Sequence, residues 1–124
     1  MSQPGILIVD DDAGAAEAFD VMLRDHGFDV RVASDPDAGW TEVTRQRPDA
    51  IILDLRLGTH DGMDFLRQLR GAAAHATIPV AVITGDFLVD DRVTDQLFAL
   101  EAQLHFKPLW EEDVLRIVAG LFAT

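Results

Sequence analysis

Apolar positions along the chain follow two rhythms. Short strand-like runs, several of them almost wholly apolar, lie at residues 6–9, 28–33, 50–53, 80–83 and 103–106. Between them, apolar residues recur at helical spacing. Ala15, Phe19, Met22 and Leu23 form an i, i+4, i+7, i+8 stripe that His26-Gly27 brings to a stop. Ser34-Asp35-Pro36 opens a second helix with a weaker stripe. Met63, Leu66 and Leu69 mark a third, ending near Gly71; Val89, Val93, Leu97 and Leu100 a fourth; Val114, Ile117, Val118, Leu121 and Phe122 a fifth. Strands apolar on both faces belong in a parallel sheet covered by helices on both sides. The alternation βαβαβαβαβα therefore predicts an α/β fold, an open doubly wound parallel sheet with right-handed crossovers. With no internal linker, repeat or low-complexity tract, residues 1–124 are expected to form one domain, its core at about 5–122, with no output domain in the chain.

Sheets of this kind carry their sites at the carboxyl ends of the strands. The first run, I-L-I-V, ends in Asp10, Asp11 and Asp12; the third ends in Asp54, the fourth in Thr84 and the fifth in Lys107. Crowded carboxylates raise one another's pKa unless a cation offsets the repulsion, and oxygen donors of this type suit Mg²⁺. A lysine adds fixed positive charge, and a threonine hydroxyl can donate to a phosphoryl oxygen. The set is suited to phosphoryl transfer, with an aspartate as acceptor. Asp54 is the expected acceptor because it stands alone on the middle strand. Asp12 is read as a charge at a helix N-terminus, not as a ligand.

Composition narrows the partners. The chain has 22 acidic and 10 basic residues, a net charge of −12. Phosphate backbones and anionic lipid repel such a surface, so neither nucleic acid nor membrane is expected as a partner. No cysteine is present, which excludes thiolate metal sites. No apolar run approaches the roughly 20 residues that span a bilayer, and the start M-S-Q-P-G lacks the features of a signal peptide. Cytoplasmic residence is expected.

Taken together, Asp10-Asp11, Asp54, Asp61-Gly62, Thr84-Gly85 and Lys107-Pro108 resemble, in order and spacing, the receiver domain of two-component response regulators. The likeness covers about residues 6–122. It implies a flavodoxin-like (βα)5 fold with strand order 2-1-3-4-5. It also implies Mg²⁺, for which Mn²⁺ can substitute, held by Asp10, Asp11, Asp54 and the backbone carbonyl of Arg56. By the same resemblance Asp54 takes a phosphoryl group from a phosphohistidine on a histidine kinase or a histidine phosphotransfer protein, and Thr84 and Lys107 read that group. Such a domain promotes its own phosphorylation and dephosphorylation, is not a conventional multiple-turnover enzyme, and switches a protein-contact surface that can include a homodimer. A cis bond before Pro108 is implied as well. D-x-R-L, I-T-G-D and L-H-F-K-P further resemble receivers at the C-terminal end of hybrid sensor histidine kinases.

Three places depart from the common receiver pattern. Gly58-Thr59-His60 replaces a loop that usually carries a proline. Leu104 stands where an aromatic is usual, with Phe106 directly before the lysine. Arg56 and Asp86 flank the site, where their pairing across its mouth would slow water entry. Blander readings exist for other residues. His26, His60, His75 and His105 have no metal-ligand spacing, and Trp40 and Trp110 are expected to pack at helix edges. Leu104, Phe106, Leu109 and Trp110 are candidates for a partner surface, with core packing the competing role. Two other functions fit less well. A haloacid-dehalogenase-type phosphatase wants an acid/base Asp where Arg56 stands and a cap domain for which there is no length. A degenerate receiver that only binds partners would not need the full acidic set.

Overall fold

The computed structural model describes residues 3–57, 60–85 and 90–122, with the backbone alone at 56, 57, 60 and 61. Five strands, β1 (Gly5–Val9), β2 (Asp29–Ala33), β3 (Ala50–Leu53), β4 (Val80–Thr84) and β5 (Ala102–Phe106), alternate with five helices. The helices are α1 (Ala13–Asp25), α2 (Pro36–Arg45), α3 (Gly62–Gly71), α4 (Asp91–Ala99) and α5 (Glu111–Phe122). All strand pairs in the main sheet are parallel, in the order β2-β1-β3-β4-β5. This is the flavodoxin-like arrangement expected from the alternation and the resemblance.

The three central strands, β1, β3 and β4, are apolar on both faces because helices cover both. Leu7, Val9, Ile51, Leu53, Val80 and Val82 share one cluster with the α3 residues Phe65, Leu66 and Leu69. The intervening Ile6, Ile8, Ile52 and Ile83 pack on the opposite side with Phe19 and Leu23 of α1 and Val114 and Val118 of α5. Each such side chain, taken out of water, contributes about 1.5–3 kcal/mol. The period-two parity, once fixed by burial, also fixes the register and therefore which residues emerge at the strand ends.

Short polar residues begin the helices. Asp12 caps α1 by accepting from the amides of Gly14 and Ala15 at 3.0 and 3.2 Å, which matches its assignment as a helix-start charge. Asp35 caps α2 through the Ala38 amide at 2.7 Å, and Asp90 caps α4 through that of Val93 at 3.0 Å. Each cap stabilises its helix by about 1 kcal/mol. At the end of α1, Gly27 takes a positive φ of 88°, where a side chain would be strained.

Several details differ from the sequence reading. Thr84 closes β4 rather than following it, because its backbone still pairs in register with Phe106. The fourth helix begins at Asp91 and Leu100 is its C-cap, while Val89 lies outside the described residues. Arg56–Leu57 and His60–Asp61 form a short antiparallel ribbon that no periodic pattern announced. Trp110 precedes α5 and is 76% exposed, so it does not pack at a helix edge: it falls outside the stripe of Val114, Ile117, Val118 and Leu121. Trp40 does pack against the core and meets His75 edge-on at 5.8 Å. Among the described residues, no helix is long and apolar enough to cross a membrane.

Candidate functional site

The central strands deliver the site. Asp10 follows β1 and Asp54 follows β3, and both backbones remain pinned to the sheet. The Asp10 amide donates to Ala33 O at 3.0 Å and the Asp54 amide to Val9 O at 2.9 Å. Lys107 follows β5, where its amide donates to Thr84 O at 2.8 Å. The Lys107-Pro108 bond is cis, as the resemblance implied.

These pinned backbones bring the charged groups together. One carboxylate oxygen from each of Asp10, Asp11 and Asp54 lies within 4.8 Å of the others. Asp10 and Asp54 are buried and Asp11 is exposed, so the cluster has a wet side. Lys107 Nζ donates to Asp10 Oδ2 at 3.0 Å and to Asp54 Oδ2 at 3.1 Å. The other oxygen of Asp10 accepts from the Asp12 amide at 2.9 Å. Thr84 is fully buried at the end of β4.

Burial pushes the Asp10 carboxyl above its ordinary range. The Asp12 amide and the Lys107 ammonium counter this, and Asp54 adds to it. Burial works against the Lys107 ammonium too, but the hydrogen bond and charge of Asp10, followed by those of Asp54, outweigh it and raise its pKa. Burial drives the first shift, and the neighbouring carboxylates drive the second against burial. Three carboxylates against one ammonium leave an excess negative charge that a hard divalent cation would neutralise. The donor set is all oxygen and open on the Asp11 side, so the residues present fit Mg²⁺.

A sequence profile of the response regulator receiver domain matches residues 6–118. The chain belongs to that family. This receiver domain is 42% identical over 79 residues to the DNA-binding response regulator MtrA of Mycobacterium tuberculosis strain H37Rv, a match covering 64% of this chain and 33% of MtrA. It is 38% identical over 93 residues to the transcriptional regulatory protein PrrA of Mycobacterium leprae, covering 75% of this chain and 39% of PrrA. The matched part thus spans about a third of these relatives. In fold it resembles the chemotaxis response regulator CheY4 of Vibrio cholerae, with TM-score 0.88, 21% identity, and coverage of 98% of this chain and 100% of that one. A putative response regulator from Chloroflexus aurantiacus gives TM-score 0.88 at 27% identity, with coverage of 99% and 100%.

The receiver domain is therefore a two-component signalling module with an acidic pocket at Asp10, Asp11 and Asp54. Receiver domains generally bind Mg²⁺ through such a cluster. Of the flanking residues, Arg56 lies in the short ribbon opposite Asp61. Asp86, and with it the expected Arg56–Asp86 pairing, lies outside the described residues, as do Gly58 and Thr59. Among the described residues no histidine joins a metal-binding group.

Proposed function

We propose that Asp54 accepts a phosphoryl group from a phosphohistidine on a histidine kinase or histidine phosphotransfer protein, in a reaction that needs Mg²⁺ or Mn²⁺. The observation that carries this reading is the convergence of three carboxylates within 4.8 Å, two of them bridged by Lys107. Asp10, Asp11, Asp54 and the Arg56 carbonyl would hold the ion. Bound there, it neutralises charge on the phosphoryl oxygens and the acceptor.

An Asp54 carboxylate oxygen forms the new bond to phosphorus. The P–N bond of the donor breaks, and its electron pair stays on the imidazole, which takes up a proton. Lys107 remains protonated across the working pH range and can pair with a phosphoryl oxygen once Asp54 is esterified. In this reading the Thr84 hydroxyl donates to another. Positioning and charge neutralisation supply most of the rate in such transfers. Asp54 is consumed in each transfer until water hydrolyses the acyl phosphate, so the domain is a switch rather than a conventional enzyme. Its charge of −12 supports action through protein contacts rather than through nucleic acid or an anionic membrane surface.

Incubation with acetyl phosphate tests the reading. Label should appear with Mg²⁺ or Mn²⁺, vanish with a chelator, and be absent from Asp54→Asn. Labelling that ignores the cation, or that survives in Asp54→Asn, would contradict it.

A further inference from the structure

Gly62 is the first residue of α3 and is buried. Among the described glycines only Gly27 has a positive φ, so conformational freedom is not what demands glycine at 62. Space is. A Cβ at this position would stand 2.5 Å from the carbonyl oxygen of Asp54, 3.0 Å from that of Leu55 and 3.1 Å from Leu55 Cα. All three are main-chain atoms, so no side-chain rotation relieves the clash. The same glycine donates its N–H to Leu55 O at 2.8 Å. The hydrogen bond draws α3 onto this segment, and the missing side chain lets the two backbones close.

The facing segment has little room to retreat. Asp54 is tied to Val9 through its amide at 2.9 Å and to Lys107 through its carboxylate at 3.1 Å. Leu55 is itself buried. A bulkier residue at 62 must either lift the start of α3 and break its bond to Leu55, or tilt the peptide between Asp54 and Leu55. That peptide leads directly to Arg56.

We propose that Gly62 is a positioning residue for the phosphoacceptor: its bare backbone, in contact with Asp54 and Leu55, sets the orientation of the main chain that carries the Asp54 carboxylate and presents the Arg56 carbonyl. This rests on the role proposed for Asp54. α3 acts as a stop against which the acceptor is held, a function separate from its contribution to the core.

Gly71 provides the matched control. It ends the same helix, and a Cβ there meets nothing within 4 Å. Alanine at either position gains similar helix propensity, but only at 62 does it press on the acceptor. Leu69→Ala, in the same helix and fully buried, controls for loss of stability alone. Two quantities are measured: the rate of labelling by acetyl phosphate at saturating Mg²⁺, and the Mg²⁺ dissociation constant from amide chemical shifts.

Gly62→Ala should label about tenfold to a hundredfold more slowly and bind Mg²⁺ several-fold more weakly. Gly71→Ala should stay within about twofold of wild type on both. Leu69→Ala should lower the melting temperature and, at a temperature where it is folded, keep near-normal labelling and Mg²⁺ affinity. Normal behaviour of Gly62→Ala, or a Leu69→Ala protein as impaired as Gly62→Ala, overturns the proposal. If Gly62→Ala does not fold, the wild-type titration decides. The Gly62 amide should shift with the same midpoint as that of Asp54 while Gly71 stays put, and a stationary Gly62 overturns the proposal. Wild-type protein that takes no label overturns the role of Asp54 and this proposal with it, whereas a labelled wild type with an unaffected Gly62→Ala overturns only this proposal.

Discussion

The centre of the sheet and its β5 edge are built differently. β3 and β4 are buried at every position and β1 at all but its first residue, whereas β5 alternates between half-buried and exposed. α3 buries Gly62, Met63, Phe65, Leu66 and Leu69, while α4 buries only Leu97 and leaves Phe98 85% exposed. Asp10 and Asp54 grow from the first region; Thr84 and Lys107 link it to the second. A phosphorylation switch needs both halves. Reacting groups must hold their positions, and the readout must shift for a modest free energy, which calls for a region with few buried contacts.

The sharpest way to break this comparison is to delete the same side chain in each half. Leu53→Ala in β3 should cost about 3–5 kcal/mol, since the fully buried site cannot collapse around the cavity. Leu104→Ala in β5, which packs only at the cluster's edge, should cost about 1–2 kcal/mol. Urea denaturation measures both, and equal losses would mean that the two halves are equally well packed.

Charge within the buried central region gives a smaller effect of opposite sign. The raised pKa of Asp10 means that its ionised form is worse off in the folded chain than in the unfolded one. Above that pKa, ionised Asp10 therefore destabilises the metal-free protein. Asp10→Asn should leave stability unchanged or raise it by up to about 1 kcal/mol, while weakening Mg²⁺ binding at least about tenfold. Thermal melts without metal and a Mg²⁺ titration check the two parts. A clear loss of stability would show that the pocket is not charge-strained.

The smallest effect belongs to β5. Burial lowers the pKa of His105, whose Nε2 lies 3.0 Å from Gln103 Oε1. The unfolded chain then holds the proton more tightly, so this contribution to stability is complete above about pH 6.5 and declines as pH falls toward the lowered folded value. His105→Gln should lose less stability than wild type between neutral and mildly acidic pH. The difference should be well under about 1.4 kcal/mol, the worth of a full pKa unit, because the ring is partly solvated. Parallel denaturation curves at several pH values would reveal it.

The central half was the more legible in sequence. Solid apolar runs define strands buried on both faces, and parity then dictates that Asp10 and Asp54 emerge beside each other. The outer half was harder to read because its determinants are not periodic. Phe98 falls among apolar residues yet points away from the core. Arg70 binds backbone instead of charge, donating to Leu100 O at 2.7 Å and Ile78 O at 2.7 Å, a role invisible without the fold. Trp110 looked like a packing residue and is exposed. Asp61-Gly62 is legible as part of the receiver signature, but that a Cβ at 62 would stand only 2.5 Å from the Asp54 carbonyl oxygen emerges from the fold alone. The difference between buried Asp10 and exposed Asp11 likewise depends on tertiary structure.

Paramagnetic broadening by Mn²⁺ tests most directly whether the strand-end carboxylates make one cation site. At substoichiometric Mn²⁺, amide signals of Asp10, Asp11, Asp54 and Lys107 should disappear first, those of α4 around Phe98 should persist, and Asp10→Asn should abolish the selectivity. Broadening spread evenly over the 22 acidic residues, with no focus at these positions, would contradict it.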